Sequence, residues 1–111
     1  MAWLVCEHSI TKFQKRVKIR KPISTLGRSD GNDVVLDDPM VQSTHASLHK
    51  KGDQYSISTS GKNAEMYVNG KRAKSVTLSE NDEILIGVWK VQFTRKNDTP
   101  PTSSNDRVDL S

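Results

Sequence analysis

The sequence predicts an all-β domain, a sandwich of two sheets, and three observations favour this fold class. Short runs in which apolar and polar residues alternate recur along the chain, and this period is typical of half-buried strands. Clusters of Gly, Asn, Asp, Ser and Pro separate these runs at short, regular intervals. No stretch has the spacing of a credible helix, so the chain is expected to build its core from sheets alone.

The predicted domain covers residues 1–95, and residues 96–111 are predicted to form a flexible tail or linker. At 111 residues, the chain is long enough to bury one hydrophobic core without a metal or disulfide. The predicted strands span residues 3–6, 13–20, 23–26, 34–36, 46–49, 55–58, 66–68, 76–78, 84–86 and 88–94. In the second strand, alternation places Phe13, Val17 and Ile19 towards the core. The tail has a Pro-Pro pair, many small polar residues and no periodicity, which is typical of disorder.

Charge and composition argue against several classes of function. The net charge of +4 invites a nucleic-acid interpretation, but the basic residues are scattered and the few aromatic residues lie inside apolar strand patterns. Nucleic acid is therefore not the expected partner. No apolar run reaches the roughly 18 residues of a membrane span, and the N-terminus lacks the features of a secretory signal. A cytoplasmic protein is expected, in which the lone Cys6 is a small buried hydrophobe.

Two polar loops, residues 27–33 and 37–44, flank a short predicted strand. Both are rich in turn-forming residues, and loops this close in sequence are expected to emerge side by side from a β scaffold. Arg28 stands at the start of the first loop, and Ser43 and Thr44 stand at the end of the second. A guanidinium and two hydroxyls that converge in this way are suited to bind an anion.

A tight hairpin is predicted at Asn69-Gly70. This dipeptide is the strongest local signal for a type I′ turn, in which both central residues need a positive φ. Asn69 is therefore expected to serve the turn and not a ligand.

Four pieces of the sequence occur in an order and spacing that resemble the forkhead-associated (FHA) domain family. They are Gly27-Arg28, His45-Ala46, Tyr67-Val68-Asn69-Gly70 and Leu78…Asp82…Ile84…Ile86-Gly87. The resemblance covers residues 3 to about 95. It implies an FHA-like sandwich of two twisted, mainly antiparallel sheets with recognition loops at one end, which bind phosphothreonine peptides. It also implies a signalling protein that binds a phosphorylated protein or peptide, with this domain as the regulatory part of a larger protein.

The resemblance assigns roles to single residues. It implies that Arg28 contacts the phosphopeptide, since a guanidinium fork suits phosphate oxygens. Gly27 lets the backbone turn before Arg28 without a side-chain clash. His45 is implied to hydrogen-bond within its loop and to hold the shape of that loop. Asn69 and Gly70 are expected to support the site through the hairpin.

Two of the residues that would contact the phosphate differ from the family pattern. Gln42 stands where the family has serine, and Ser43 stands where a basic residue often follows that serine. We expect Gln42 to donate to the phosphate through its amide, and Ser43 and Thr44 to donate through their hydroxyls.

The residue that would contact the peptide backbone also departs from the family pattern. The asparagine with which the family grips the peptide backbone aligns with Ala64. We therefore expect Asn63, one residue earlier, to take this role. Lys62, in the same loop, is expected to supply the positive charge that is missing at Ser43.

Two alternatives remain open for the ligand. The departures at Gln42 and Ala64 also suit an FHA scaffold with a degenerate phosphate site, which would serve as a phosphate-independent docking or dimerisation domain. The domain's own tail is a further candidate partner, once phosphorylated. The hydroxyl residues of the tail are Thr99, Thr102, Ser103 and Ser104.

No catalytic residues, metal site or other cofactor are expected in this domain. His45 and His49 would sit about 13 Å apart on a strand, too far to share an ion. No cysteine or carboxylate cluster accompanies them, and the chain has neither a phosphate-binding glycine loop before a helix nor a nucleophile elbow.

Overall fold

Two β-sheets pack face to face in the computed structural model, which describes residues 2–96. No helix that could cross a membrane occurs among these residues. The strands are β1 (Ala2–His8), β2 (Gln14–Ile19), β3 (Ile23–Gly27), β4 (Val34–Val35), β5 (Ala46–Lys51), β6 (Gln54–Thr59), β7 (Tyr67–Val68), β8 (Lys71–Arg72), β9 (Ser75–Thr77), β10 (Glu83–Ile86) and β11 (Trp89–Thr94). The predicted all-β sandwich is confirmed.

The two sheets contain six and five strands. Their orders are β2-β1-β11-β10-β7-β8 and β4-β3-β5-β6-β9. Pairing is mainly antiparallel, as predicted, and β3 with β4 is a parallel pair. The predicted tail lies outside the described residues from residue 97 onward, so the boundary after residue 95 stays a prediction.

Apolar side chains on the inner faces of the sheets form the core. Leu4 and Phe93 of the six-stranded sheet, and Leu48 and Ile57 of the five-stranded sheet, are fully buried. The rings of Tyr55 and Phe93 meet with their centroids 5.1 Å apart and join β6 to β11 across the space between the sheets. This contact helps to fix how the two sheets stack.

Cys6 belongs to the same core. Burial raises the pKa of its thiol to about 12. The thiol is therefore protonated at neutral pH and packs as a small apolar side chain, as the sequence predicts.

The prediction for the second strand is wrong at its start. β2 begins one residue later than expected, and Phe13 is 59% exposed instead of buried. Lys12, with a φ of 65°, turns the chain just before the strand begins. The Phe13 ring therefore lies at the surface, edge-on to Trp89 at a centroid distance of 6.4 Å. Val17 is partly buried and Ile19 is buried, as alternation predicts.

The hairpin between β7 and β8 has the predicted turn. Asn69 and Gly70 have φ values of 52° and 86°, which confirms the expected positive φ at both central positions. The Asn69 side chain also accepts a hydrogen bond from the Glu83 N–H and donates one to Asp82, both at 2.9 Å. Asn69 thus joins the hairpin to the turn that precedes β10.

The substitution Phe93→Ala is expected to lower the free energy of unfolding by about 3–5 kcal/mol, because it opens a cavity between the sheets. The matched change Phe13→Ala removes the same ring from the surface and is expected to cost about 0.5 kcal/mol. Urea unfolding followed by tryptophan fluorescence measures both values. Equal losses for the two variants would contradict the placement of these rings.

Candidate functional site

Three loops emerge at the same end of the sandwich. We call them the first loop (residues 28–33), the second loop (residues 36–45) and the third loop (residues 60–66). The first loop follows β3, and the second loop precedes β5, where Ala46 pairs with Leu26 of β3. Ala46 also pairs with Thr59, the last residue of β6, from which the third loop leaves. Strand pairing therefore brings the three loops together.

Backbone hydrogen bonds hold the first loop against the second. The N–H groups of Arg28 and Ser29 donate to the carbonyl oxygens of Gln42 and Ser43, at 2.9 and 3.2 Å respectively. Gly27 is buried directly against the Ser43 carbonyl, and a Cβ at Gly27 would overlap that oxygen. This close approach requires glycine.

Asn32 strengthens the same junction, and sequence reasoning missed it. Its buried side-chain amide donates to the carbonyl oxygens of Ser43, at 2.5 Å, and Ser29, at 2.9 Å. A buried polar group needs such partners, so Asn32 acts as a clamp between the loops. No sequence signal distinguishes it, because asparagine is equally common in exposed turns.

His45 connects the second loop to the third. Its ring is buried, Nδ1 accepts a hydrogen bond from the Gln42 N–H at 3.2 Å, and Nε2 lies 2.7 Å from the Glu65 carbonyl oxygen. Because Nδ1 accepts, the ring proton belongs on Nε2, which donates to Glu65. Both nitrogens are therefore engaged within the protein, which suits a structural role for His45.

Gln42 makes a second connection between these loops. Its side chain lies against Gly61, where a Cβ would overlap the Gln42 amide. The amide nitrogen donates to the Lys62 carbonyl oxygen at 2.7 Å. In this structure the amide proposed to reach a phosphate is thus engaged with the third loop.

The other predicted site residues are exposed at the surface of these loops. They are Arg28, Ser43, Thr44, Lys62 and Asn63. No hydrogen bond or ion pair engages the Arg28 guanidinium within the described part of the chain. Two cations, Arg28 and Lys62, and several neutral hydrogen-bonding groups therefore face solvent at one end of the sandwich.

Asn63 lies in a tight turn of the third loop. The Ala64 N–H donates to the Gly61 carbonyl oxygen at 3.1 Å, and Asn63 has a φ of 60°. Asparagine tolerates this left-handed conformation better than most residues. The turn presents Asn63 on the surface next to Lys62, whose carbonyl is held by Gln42.

Asp33 holds the end of the first loop against β3. Its carboxylate accepts hydrogen bonds from the Lys21 ammonium, at 2.6 Å, and from the Thr25 N–H, at 2.9 Å. The bond from Lys21, followed by the bond from Thr25, lowers the pKa of the carboxyl group below its ordinary value of 3.8.

Comparison with known families identifies the class of this protein. Residues 24–87 match the sequence profile of the FHA domain. The match covers more than half of the chain. The chain therefore belongs to the FHA domain family, and the resemblance seen in its sequence is confirmed.

Three known proteins illustrate the likeness. An oxoglutarate dehydrogenase inhibitor of Corynebacterium jeikeium is 35% identical over 78 residues, which are 70% of this chain and 54% of that protein. The glycogen accumulation regulator GarA of Mycolicibacterium smegmatis is 28% identical over 90 residues, which are 81% of this chain and 57% of GarA. The yeast Dun1 FHA domain, solved with a doubly phosphorylated peptide derived from Rad53, has a TM-score of 0.68 at 25% identity, covering 96% of this chain and 88% of that one. This chain thus spans just over half the length of the two curated relatives.

The substitution Asn32→Ala is expected to destabilise the domain by about 1–3 kcal/mol, because it leaves a buried junction without its donor. The exposed Asp30 of the same loop provides the control, and Asp30→Ala is expected to have little effect. Urea unfolding measures both, and amide hydrogen exchange at Ser29 reports whether the loops separate locally. Wild-type stability and exchange in Asn32→Ala would disprove the clamp.

The hydrogen bonds of Asp33 make a pH-dependent contribution to stability. Because its pKa is lower in the folded state, this contribution is present above pH 3.8 and is lost as the pH falls through the folded-state pKa. We expect Asp33→Asn to be less stable than the wild type at pH 7, with a difference that shrinks in acid. Urea midpoints at several pH values test this, and a difference that does not change with pH would refute it.

Proposed function

We propose that this chain is a phosphothreonine-dependent protein-binding module that regulates the protein it binds. The observation that carries the proposal is the position of Arg28. Its side chain is exposed at the loop end of the sandwich, while its backbone N–H is bonded to the second loop. A cation held on a fixed backbone beside exposed hydroxyls suits a phosphate dianion, because a guanidinium can donate two parallel hydrogen bonds.

Other groups of the second and third loops complete the proposed site. The hydroxyls of Ser43 and Thr44 donate to the phosphate, and the Lys62 ammonium adds a second positive charge. Asn63 contacts the backbone of the bound peptide. Gln42 supports these contacts indirectly, since its bond to the Lys62 carbonyl holds the third loop beside the second.

The relatives support action by binding instead of catalysis. One carries the name of an oxoglutarate dehydrogenase inhibitor and another that of a glycogen accumulation regulator. The Dun1 domain was solved with a phosphorylated peptide. By analogy, we propose that this domain acts in cytoplasmic signalling by binding a phosphorylated protein, and that any catalytic activity lies in a partner or an attached domain.

A second candidate function is phosphate-independent docking or dimerisation, and the position of Gln42 favours it. The Gln42 amide donates to the Lys62 carbonyl oxygen, and glutamine has no hydroxyl. A phosphate would therefore lack the hydroxyl donor that serine provides at this position in the family pattern. This function predicts equal affinity for phosphorylated and unphosphorylated partners, or a molecular mass that rises with concentration. A domain that stays monomeric in sedimentation equilibrium and binds only phosphorylated peptides would exclude it.

The substitution Arg28→Ala tests the first function. A charge-assisted hydrogen bond contributes about 1.5–3 kcal/mol, so we expect phosphothreonine peptides to bind roughly 10- to 100-fold more weakly. Arg28→Lys should recover only part of the affinity, because an ammonium lacks the fork geometry. Fluorescence anisotropy with a phosphothreonine peptide library and its unphosphorylated counterpart measures these effects.

The control for this experiment is Arg20→Ala, which removes the same charge from an exposed position after β2. The turn between β10 and β11 lies against the second loop, since a Cβ at Gly87 would be 3.0 Å from Val41 Cγ2. His8 at one end of β1 pairs with Trp89 next to this turn, whereas Ala2 at the other end of β1 pairs with Ile19. Arg20 follows Ile19 and is therefore at the end of the sheet away from the candidate site. Equal losses for Arg28→Ala and Arg20→Ala would indicate general charge attraction and would contradict a phosphate site at Arg28.

A further inference from the structure

A second charged surface lies at the end of the sandwich opposite the three loops. β3 leads into the first loop and β5 leads out of the second, so Ile23 at the start of β3 and its partner His49 lie towards the other end. In the six-stranded sheet, Trp3 near the start of β1 pairs with Lys18 and Thr94, near the ends of β2 and β11. These strand ends therefore meet far from the candidate phosphate site.

Six cations are grouped at this end, and we call them the basic face. They are Lys18, Arg20, Lys50, Lys51, Arg95 and Lys96. They come from the ends of β2, β5 and β11 and are scattered in the sequence, so only strand pairing brings them together. Arg20, Lys51, Arg95 and Lys96 are exposed, whereas Lys18 and Lys50 are half-buried.

Hydrogen bonds hold parts of the basic face in place. The Lys50 N–H donates to the Pro22 carbonyl oxygen at 2.7 Å, which ties β5 to the segment between β2 and β3. The Arg95 guanidinium donates to the Asp53 carbonyl oxygen at 2.7 Å and lies 5.3 Å from the centroid of the Tyr55 ring. Because Arg95 follows β11 and Asp53 precedes β6, this contact joins cations of both sheets.

Charge is distributed unevenly between the two ends of the sandwich. The six cations of the basic face are accompanied by three carboxylates, Asp53, Glu80 and Asp82, which leaves a net charge of +3. Lys21 and Asp33 form an ion pair and cancel each other. The three loops otherwise carry two cations and four carboxylates, a net charge of −2. An anionic surface therefore attracts the basic face and repels the loop end.

Two exposed apolar residues adjoin the basic face. Pro22 and Ile23 follow Arg20 and Lys21 in the chain, and Ile23 is 52% exposed. The aromatic rings at this end, those of Trp3, Tyr55 and Phe93, are buried. Single-stranded nucleic acid needs exposed rings on which its bases stack. An exposed aliphatic side chain among lysines and arginines instead suits the boundary between lipid headgroups and acyl chains.

We propose that the basic face binds the surface of a membrane that contains anionic lipids. Clusters of Lys and Arg at a protein surface are attracted to such lipids. The cations contact the lipid phosphates, and the Ile23 side chain enters the boundary layer below them. In this orientation the three loops point away from the membrane and stay accessible to a protein partner. This membrane contact does not depend on phosphate recognition by Arg28.

The first experiment is cosedimentation of the full chain with vesicles of equimolar phosphatidylcholine and phosphatidylglycerol, and with vesicles of phosphatidylcholine alone. We expect binding to the anionic vesicles only, and weaker binding as salt rises, because ions screen the charges. Duplex DNA of arbitrary sequence is titrated in parallel. No binding to anionic vesicles, equal binding to neutral vesicles, or tighter binding to DNA per phosphate would overturn the proposal.

The second experiment assigns vesicle binding to the basic face. Arg20→Gln combined with Lys51→Gln is expected to weaken binding to anionic vesicles about 20- to 30-fold, since each cation near such a surface contributes about fivefold. Lys12→Gln combined with Lys90→Gln removes the same charge from exposed positions towards the loop end and should retain wild-type binding. Equal losses in the two double variants would indicate attraction by net charge alone and would overturn the assignment.

The third experiment tests the apolar contact. Ile23→Thr is expected to weaken binding to anionic vesicles about fivefold and to leave any weak binding to DNA unchanged. Ile10→Thr truncates another exposed isoleucine, in the turn between β1 and β2, and is the matched control. No loss in Ile23→Thr, or an equal loss in Ile10→Thr, would overturn insertion of Ile23.

Membrane binding and phosphate recognition can be tested separately. The double variant of Arg20 and Lys51 should bind phosphothreonine peptides as the wild type does, while its binding to vesicles is lost. Loss of both activities in this variant, with urea unfolding showing a folded domain, would overturn a membrane contact that is separate from the loops. Failure of phosphothreonine binding in the wild type would remove the proposed function and leave vesicle binding unaffected.

Discussion

The carbonyl oxygen of Ser43 accepts hydrogen bonds from two groups of the first loop, the Ser29 N–H and the Asn32 side chain. Both bonds depend on Gly27, because a side chain there would displace the oxygen. Since a buried donor without its partner costs about 1–3 kcal/mol, one arrangement of these loops is strongly favoured. Arg28 follows Gly27 directly, so the position of its guanidinium depends on this junction.

The third loop is held in the same manner, through carbonyl oxygens. His45 donates to Glu65, and Gln42 donates to Lys62. The candidate site thus consists of exposed groups on a framework of polar contacts, which are partly buried at Asn32 and His45 and exposed at Gln42. Such preorganisation lowers the entropy lost when a ligand binds, because the loops are already ordered. At the position where the family pattern has serine, Gln42 therefore has a structural role: its bond to the Lys62 carbonyl oxygen holds the third loop beside the second.

Much of the fold could be predicted from the sequence, because alternation and turn residues act locally. The Asn69-Gly70 turn follows from the φ values that only a few residues tolerate. The burial of Phe13 could not be predicted correctly, since alternation alone does not show where a strand begins. The resemblance to the family predicted a phosphopeptide contact for Arg28 and a loop-supporting role for His45. The partners of Asn32 and Gln42 could not be inferred, because they depend on which distant loops touch.

The third loop has a further property: it is a crossover. It leaves β6 in the five-stranded sheet and enters β7 in the six-stranded sheet, so its ends are attached to opposite layers of the sandwich. Any sliding of one layer over the other would displace the carbonyls that Gln42 and His45 hold. A ligand that engages this loop together with the first and second loops therefore clamps both layers at once. Its binding energy is linked to the stability of the whole sandwich, beyond the stability of a single loop.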